Sequence, residues 1–350
     1  MSEASGTLSR RLPKSVPRTA SRGADGQRLT TSAMIASLDA EGRDTRAAPF
    51  GEALVELART REDIVGLSAD LSKYTDLHVF AKAFPDRFYQ MGMAEQLLFS
   101  AAAGLAREGF VPFATTYAVF ASRRAYDFIC IAIAEEKLPV KIVCALPGLS
   151  TGYGPSHQAT EDLAIFRGMP DLVIVDPCDA CEIAQAVPAI ADHPGPVYLR
   201  LLRGQVPDVL SEYGYRFQLG RAQMIRDGAD VLFVSSGFMT MRALDAAEQA
   251  RADGIDCAVL HCSTIKPLDV DTIVAAARDG SRLVVVAENH SRIGGLGEAV
   301  ATALMLAGVA VPFRQIALPD EFLDAGALPT LHDQYGLSVG AMVAAVKRWL

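Results

Sequence analysis

The sequence predicts an α/β protein of two doubly wound domains, a parallel-sheet domain over residues 47–205 and a smaller α/β domain over 222–350. Three observations carry this prediction. Short β-branched runs without polar alternation recur between stretches of helical periodicity, as expected of strands buried on both faces and joined by crossover helices. The pattern breaks once, over "RGQVPDVLSEYGYRFQLGR" (203–221), which marks residues 206–221 as a linker. The chain has 350 residues, 50% of them hydrophobic, enough for two cores.

Residues 1–46 are expected to be a disordered extension. "SRRLPKSVPRTASRGADGQR" is rich in Arg, Ser, Pro and Gly and has no apolar period. Organelle transit peptides share that bias, but Glu3 and Asp25 argue against one. In the first domain "DIVGLSA", "FVPFATTY", "VKIVCAL" and "LVIVDP" read as strands, with helices over Met93–Arg107 and Cys181–Ala191 between them. "DVLFVSSG", "CAVLHC", "RLVVVAEN" and "FRQIAL" repeat the pattern in the second domain.

Composition excludes several functions. A formal net charge of -8 does not suit nucleic acid, whose binders need a basic stripe. The most apolar stretch, Ala299 to Phe313, is interrupted by Thr302, Gly308 and Pro312, so no membrane partner is expected. Six cysteines scattered through strands and helices point to a reducing, cytoplasmic setting. Cys178 and Cys181 form a CxxC pair, but no second ligand pair accompanies them, and buried small side chains are the better reading than metal.

Ligands of doubly wound sheets sit at the carboxyl ends of the strands. Ser68-Ala69-Asp70, Thr115-Thr116-Tyr117 and the loop "PGLSTGYGPSHQ" (147–158), which contains His157, all fall there. A carboxylate, Glu95, stands where "YQMGMAEQLLFSAAAGLAREG" (89–109) passes from strand to apolar helix. Acids are seldom buried unpaired, although a helix N-terminus also favours one. "IGGLGEAV" (293–300) opens a helix as phosphate loops do, but has the spacing of neither nucleotide fingerprint and reads as a packing turn.

The motifs "GLSADL" (66–71), "GMAEQ" (92–96), "GPSHQATED" (154–162), "VIVDPCDACE" (173–182) and "RLLRGQVP" (200–207), followed by "STIKPLD" (263–269) and "ENHSRIGGLGEAV" (288–300), resemble in order the C-terminal half of transketolases. The resemblance spans residues 47–350. It implies a thiamine-pyrimidine-binding domain followed by a transketolase C-terminal domain, and thiamine diphosphate as cofactor.

In such enzymes the glutamate matching Glu95 hydrogen-bonds N1′ of the aminopyrimidine. This favours the 4′-imino tautomer, whose nitrogen takes the thiazolium C2 proton, and the resulting carbanion attacks a ketose carbonyl. Within "TTYAVFASRRAYDF", Phe120 matches the ring that stacks on the pyrimidine and Tyr117 the pocket wall. His157 matches the histidine near the donor's hydroxyl and carbonyl, a catalytic and substrate-binding position. Arg203 matches the arginine that grips the substrate anion, and Ser68 a further phosphate contact. The resemblance also places Cys178 and Cys181 at ordinary helix-start positions.

Two departures bear on the substrate. The family's acid four residues before the histidine is Tyr153 here, and a phosphate-contacting histidine is replaced by Ala145. Both imply a phosphorylated sugar other than the common pentose phosphates, or one with another anion. The G-D-G segment that holds Mg²⁺ is absent from the sequence. The resemblance therefore implies a split transketolase, a two-carbon ketol transferase active only with a separate diphosphate-binding subunit that supplies the Mg²⁺ ligands, as an α2β2 heterotetramer. "YDFICIAIA" (126–134), apolar on every side, is expected to be a core or interface helix. The alternatives are a 2-oxo acid dehydrogenase beta subunit, a deoxyxylulose-phosphate-synthase-like enzyme, or a noncatalytic scaffold subunit.

Overall fold

The computed structural model describes residues 39–40, 42–278 and 282–350. The extension expected over 1–46 lies outside the described residues up to position 38. Chain order gives β1 (Thr45–Ala47), β2 (Ile64–Ser68), β3 (Phe88–Gln90), β4 (Val111–Tyr117), β5 (Lys141–Ala145), β6 (Val173–Val175) and β7 (Val197–Leu201). There follow β8 (Gln205–Pro207), β9 (Gln223–Arg226), β10 (Val231–Ser235), β11 (Cys257–His261), β12 (Thr264–Lys266), β13 (Leu283–Ser291) and β14 (Phe313–Leu318).

Two sheets organise the described residues. The seven-stranded one runs β12-β6-β7-β5-β4-β2-β3 and the five-stranded one β14-β13-β10-β11-β9. Within them β2 to β7 are parallel, as are β10, β11, β13 and β14. Every residue of β2, β4, β5 and β7 is buried, which is why these strands are unbroken apolar runs: helices cover both faces and leave no wet side to encode. The two doubly wound domains are those expected.

The segment expected as a linker is more structured than its composition suggests. Its β8 pairs antiparallel with β1, and Val206, Leu210 and Tyr215 are buried. The second domain also lends β12 to the edge of the first sheet, antiparallel to β6.

Polar groups stitch the domains where they meet. Arg200 in β7 is buried and donates to Asp162 at 2.9 and 3.1 Å, to Asp176 at 3.0 Å and to the Asn289 carbonyl at 2.9 Å. Ser236 donates to the same Asp176 at 2.8 Å. Glu182, lowered in pKa against the desolvating effect of burial by His261, meets that ring's Nε2 at 2.8 Å. Cys178 and Cys181 lie buried by the helix Ala180–Asp192. "IGGLGEAV" is a packing turn: a Cβ at Gly297 would lie 1.9 Å from the Gln315 amide, and Glu288 already accepts the Leu296 and Gly297 N–H groups at 2.6 and 2.8 Å.

Candidate functional site

The carboxyl ends of β2, β4, β5 and β7 bring the loops of the first domain to one rim. The helix Glu95–Arg107 starts without a capping side chain after Gly92, whose φ of 72° turns the chain. This puts the Glu95 side chain inside the rim, where it is 1% exposed. Its Oε2 accepts from Arg124 Nη1 at 2.9 Å, which meets the rule that a buried acid needs a partner. The same guanidinium lies over the Phe120 ring, 4.5 Å from its centroid, so one cation joins the carboxylate to the aromatic face.

Aromatic rings continue around His157. Phe120, Tyr153 and Tyr117 present edges to the imidazole at 5.5, 5.5 and 6.3 Å, and Tyr117 and Phe120 pack at 5.7 Å. His157 Nδ1 shares a hydrogen bond of 2.9 Å with the Ser156 hydroxyl. Arg123 secures the loop by donating to the Pro155 and Gln158 carbonyls at 2.8 and 3.1 Å and to Glu161. Tyr153 is 61% exposed and overhangs the histidine, and Ala145 is buried at the end of β5.

Arg203 sits across from this aromatic group with its guanidinium 5.6 Å from the Tyr74 ring centroid. Asp76 lies under the turn, buried, with φ of 59°. Both its oxygens accept from the Gly204 N–H, at 2.9 and 3.2 Å. Burial pushes the Asp76 carboxyl up to about 6, against the pull of that N–H and of Arg203. Burial also raises the Tyr117 phenol, again opposed by Arg203.

The structure thus brings Glu95, Tyr117, Phe120, Tyr153, His157 and Arg203 together. Ser68 ends β2, buried, and its hydroxyl accepts the Leu71 N–H at 3.1 Å, which braces the turn that follows. Sequence reasoning missed Arg124, Tyr74 and Asp76. Arg124 ends the helix Ala118–Arg124, and the other two lie in and just after the single 3₁₀ turn Ser72–Tyr74, which carries no periodic signal.

Among the described residues no group of three or more His, Cys, Asp or Glu is placed to hold a metal ion. No helix among them is long and apolar enough to cross a membrane.

Comparison with known proteins supplies the family. Residues 41–208 match the transketolase pyrimidine-binding domain and residues 220–342 the transketolase C-terminal domain. A transketolase family protein of Sinorhizobium fredii is 69% identical over 93% of this chain and 95% of its own length. The 6-deoxy-6-sulfo-D-fructose transketolase subunit of a Clostridium species is 36% identical over 87% of this chain and 92% of its own. A split-gene transketolase solved as an inactive beta4 tetramer superimposes with a TM-score of 0.79 at 42% identity, covering 87% of this chain and 97% of that one.

Proposed function

The chain belongs to the transketolase family as a split subunit, a thiamine-diphosphate-dependent transferase of two-carbon ketol units, and from that premise we propose how its residues serve the reaction and what completes it. When bound, thiamine diphosphate supplies the nucleophilic carbon that carries the ketol unit from a ketose to an aldose.

The residues present suit the pyrimidine side of that cofactor. Among the described residues Glu95 is buried with Arg124 as its partner, through one oxygen, which leaves the other to share a proton with a ring nitrogen. Phe120 offers a face for stacking and Tyr117 the wall beside it. His157 donates to a donor sugar's oxygens from within its ring of aromatics, and Arg203 grips an anionic group with its fork. The observation that carries this reading is the buried carboxylate of Glu95, linked through Arg124 to the Phe120 face.

A separate diphosphate-binding subunit, holding Mg²⁺, completes the site as α2β2. Support comes from the exposed apolar side chains of Met93 and Leu97 beside Glu95, and of Phe128 and Ile131 on the neighbouring helix, since apolar surface gathered in one region marks interaction sites. The inactive beta4 neighbour accords with that requirement. Tyr153 and Ala145 favour a sugar other than the common pentose phosphates. All six cysteines are free, in keeping with a reducing cytoplasm. The test is Glu95→Gln in the reconstituted pair. Ketol transfer is expected to fall by about 10²–10⁴-fold, and unchanged turnover would overturn the assignment.

A further inference from the structure

We propose that Asn289 and His332, both in the C-terminal domain, are positioning residues that hold the loop 146–158 and so aim His157. The inference rests on the reading above, in which His157 meets the donor sugar.

The loop between β5 and the helix Asp162–Arg167 has little regular structure, yet its first half is buried. Buried backbone groups need partners, and the second domain supplies them. Asn289 Oδ1 accepts the Leu149 N–H at 2.9 Å while its Nδ2 donates to the Pro147 carbonyl at 3.0 Å. His332 Nε2 donates to the Leu149 carbonyl at 2.8 Å. Further along, the Gly326 N–H donates to the Gly152 carbonyl at 3.0 Å, and the Gln158 amide donates to the Asp324 carbonyl at 3.1 Å. Contact is close enough to demand glycine twice. A Cβ on Gly148 would lie 2.2 Å from the Asn289 carbonyl oxygen, and one on Gly152 1.9 Å from that of Gly326.

The tautomer of His332 follows from its neighbours. Arg242 Nη2 donates to Nδ1 at 2.9 Å, so the ring proton must sit on Nε2, facing Leu149. Burial and the Arg242 charge press the imidazole down to about 3, which keeps it neutral at physiological pH. Arg242 is itself fixed by Asp39, at 3.0 and 3.2 Å, and by the Leu337 carbonyl. The loop therefore hangs from an ordered series, Asp39 to Arg242 to His332 to Leu149, eight residues before His157. Glu95, Tyr117 and Phe120 belong to other elements and make none of these bonds.

The test uses the enzyme reconstituted with its diphosphate-binding partner and compares His332→Leu, His332→Gln, Asn289→Ala and wild type. Three quantities are read: amide hydrogen exchange, thiamine diphosphate affinity, and kcat and KM for the ketose donor. In His332→Leu and Asn289→Ala, exchange at amides 149–158 should rise about tenfold while the helix 95–107 exchanges as in wild type. Cofactor affinity should hold. Donor KM should rise about tenfold, more than kcat falls. His332→Gln, which keeps a donor for the Leu149 carbonyl, should stay near wild type. If His332→Leu does not fold, Asn289→Ala is read by the same criteria. Unchanged exchange over 149–158, or a loosened loop with unaltered donor KM, would overturn the proposal. A wild-type pair with no ketol transfer would instead defeat the functional reading, and the exchange data would still decide whether the two side chains hold the loop.

Discussion

Arg124 and Glu95 form an ion pair of 2.9 Å in which the carboxylate is enclosed and the guanidinium is about half open to solvent. The arginine also covers one face of Phe120. In the proposed site an aminopyrimidine would use the second oxygen of the same carboxylate and a face of the same ring, so Arg124 draws on the charge of the one and covers part of the other. Arg124→Ala should then tighten thiamine diphosphate binding to the assembled enzyme. With the pair partly solvated, the gain should be about 0.5–1 kcal/mol, or roughly two- to fivefold in Kd by calorimetric titration. The cofactor-free protein should melt earlier, because Glu95 loses its partner. Weaker cofactor binding would show that Arg124 supports the ring rather than displacing it.

Asp76 predicts a pH signature. Its folded pKa of about 6 lies above the ordinary 3.8, so between those values the folded chain holds a proton that the unfolded chain releases. Stability attributable to this group is therefore lost as pH rises from about 4 to 6 and stays lost above. Asp76→Asn keeps an oxygen for the Gly204 N–H and removes the titration. The difference in unfolding free energy, variant minus wild type, should grow over that interval and then level off. A difference independent of pH, from urea titrations at pH 4 to 8, would refute this.

Replacing Arg200 strands two carboxylates, because Asp162 and Asp176 are both buried against it. Arg200→Met should cost about 3–5 kcal/mol, measured as a shift in urea midpoint. Arg59→Met, at a pair with Glu56 that is exposed on both sides, should cost no more than about 1 kcal/mol.

In the proposed reading Tyr153 takes the place of a family acid that reads a sugar hydroxyl, and it packs against His157 while 61% exposed. Tyr153→Asp restores a charge-assisted acceptor. A hydrogen bond to a charged group contributes about 1.5–3 kcal/mol, and the exposure of this position argues for the lower figure. The kcat/KM on xylulose 5-phosphate with ribose 5-phosphate should rise by about tenfold relative to the unaltered pair. No change would mean that the acceptor preference is set elsewhere.

The layered fold was legible because its strands are enclosed on both sides and must be apolar throughout, as in β5 and β10. β12 was not. It is three residues long and pairs across domains, and an edge strand that short leaves no periodicity to read. β8 hid for a similar reason, within a segment whose Gly and Tyr content mimics a connector. At the proposed site, Glu95 and His157 can be singled out by type and position, whereas Tyr117 and Phe120 are singled out only through the resemblance, since by themselves they read as core aromatics. The brace that Ser68 gives to the Leu71 N–H could not be read, since a serine ending a strand can face a ligand, bind its own turn or do both. Tyr74 and Asp76 act on Arg203 from a turn 127 to 129 positions away in sequence, a proximity set by the β2 to β7 arrangement and carried by no local pattern.

The loan of β12 to the other sheet limits how this protein can be cut or recombined. A break between Pro207 and Gln223 looks natural on composition, but it would pull the border strand off β6 and bare that edge, and bare edges invite aggregation. It would also leave Glu182 and Arg200 without counterparts from the far side. These two domains should therefore travel through evolution and through chimera design as one inseparable cassette.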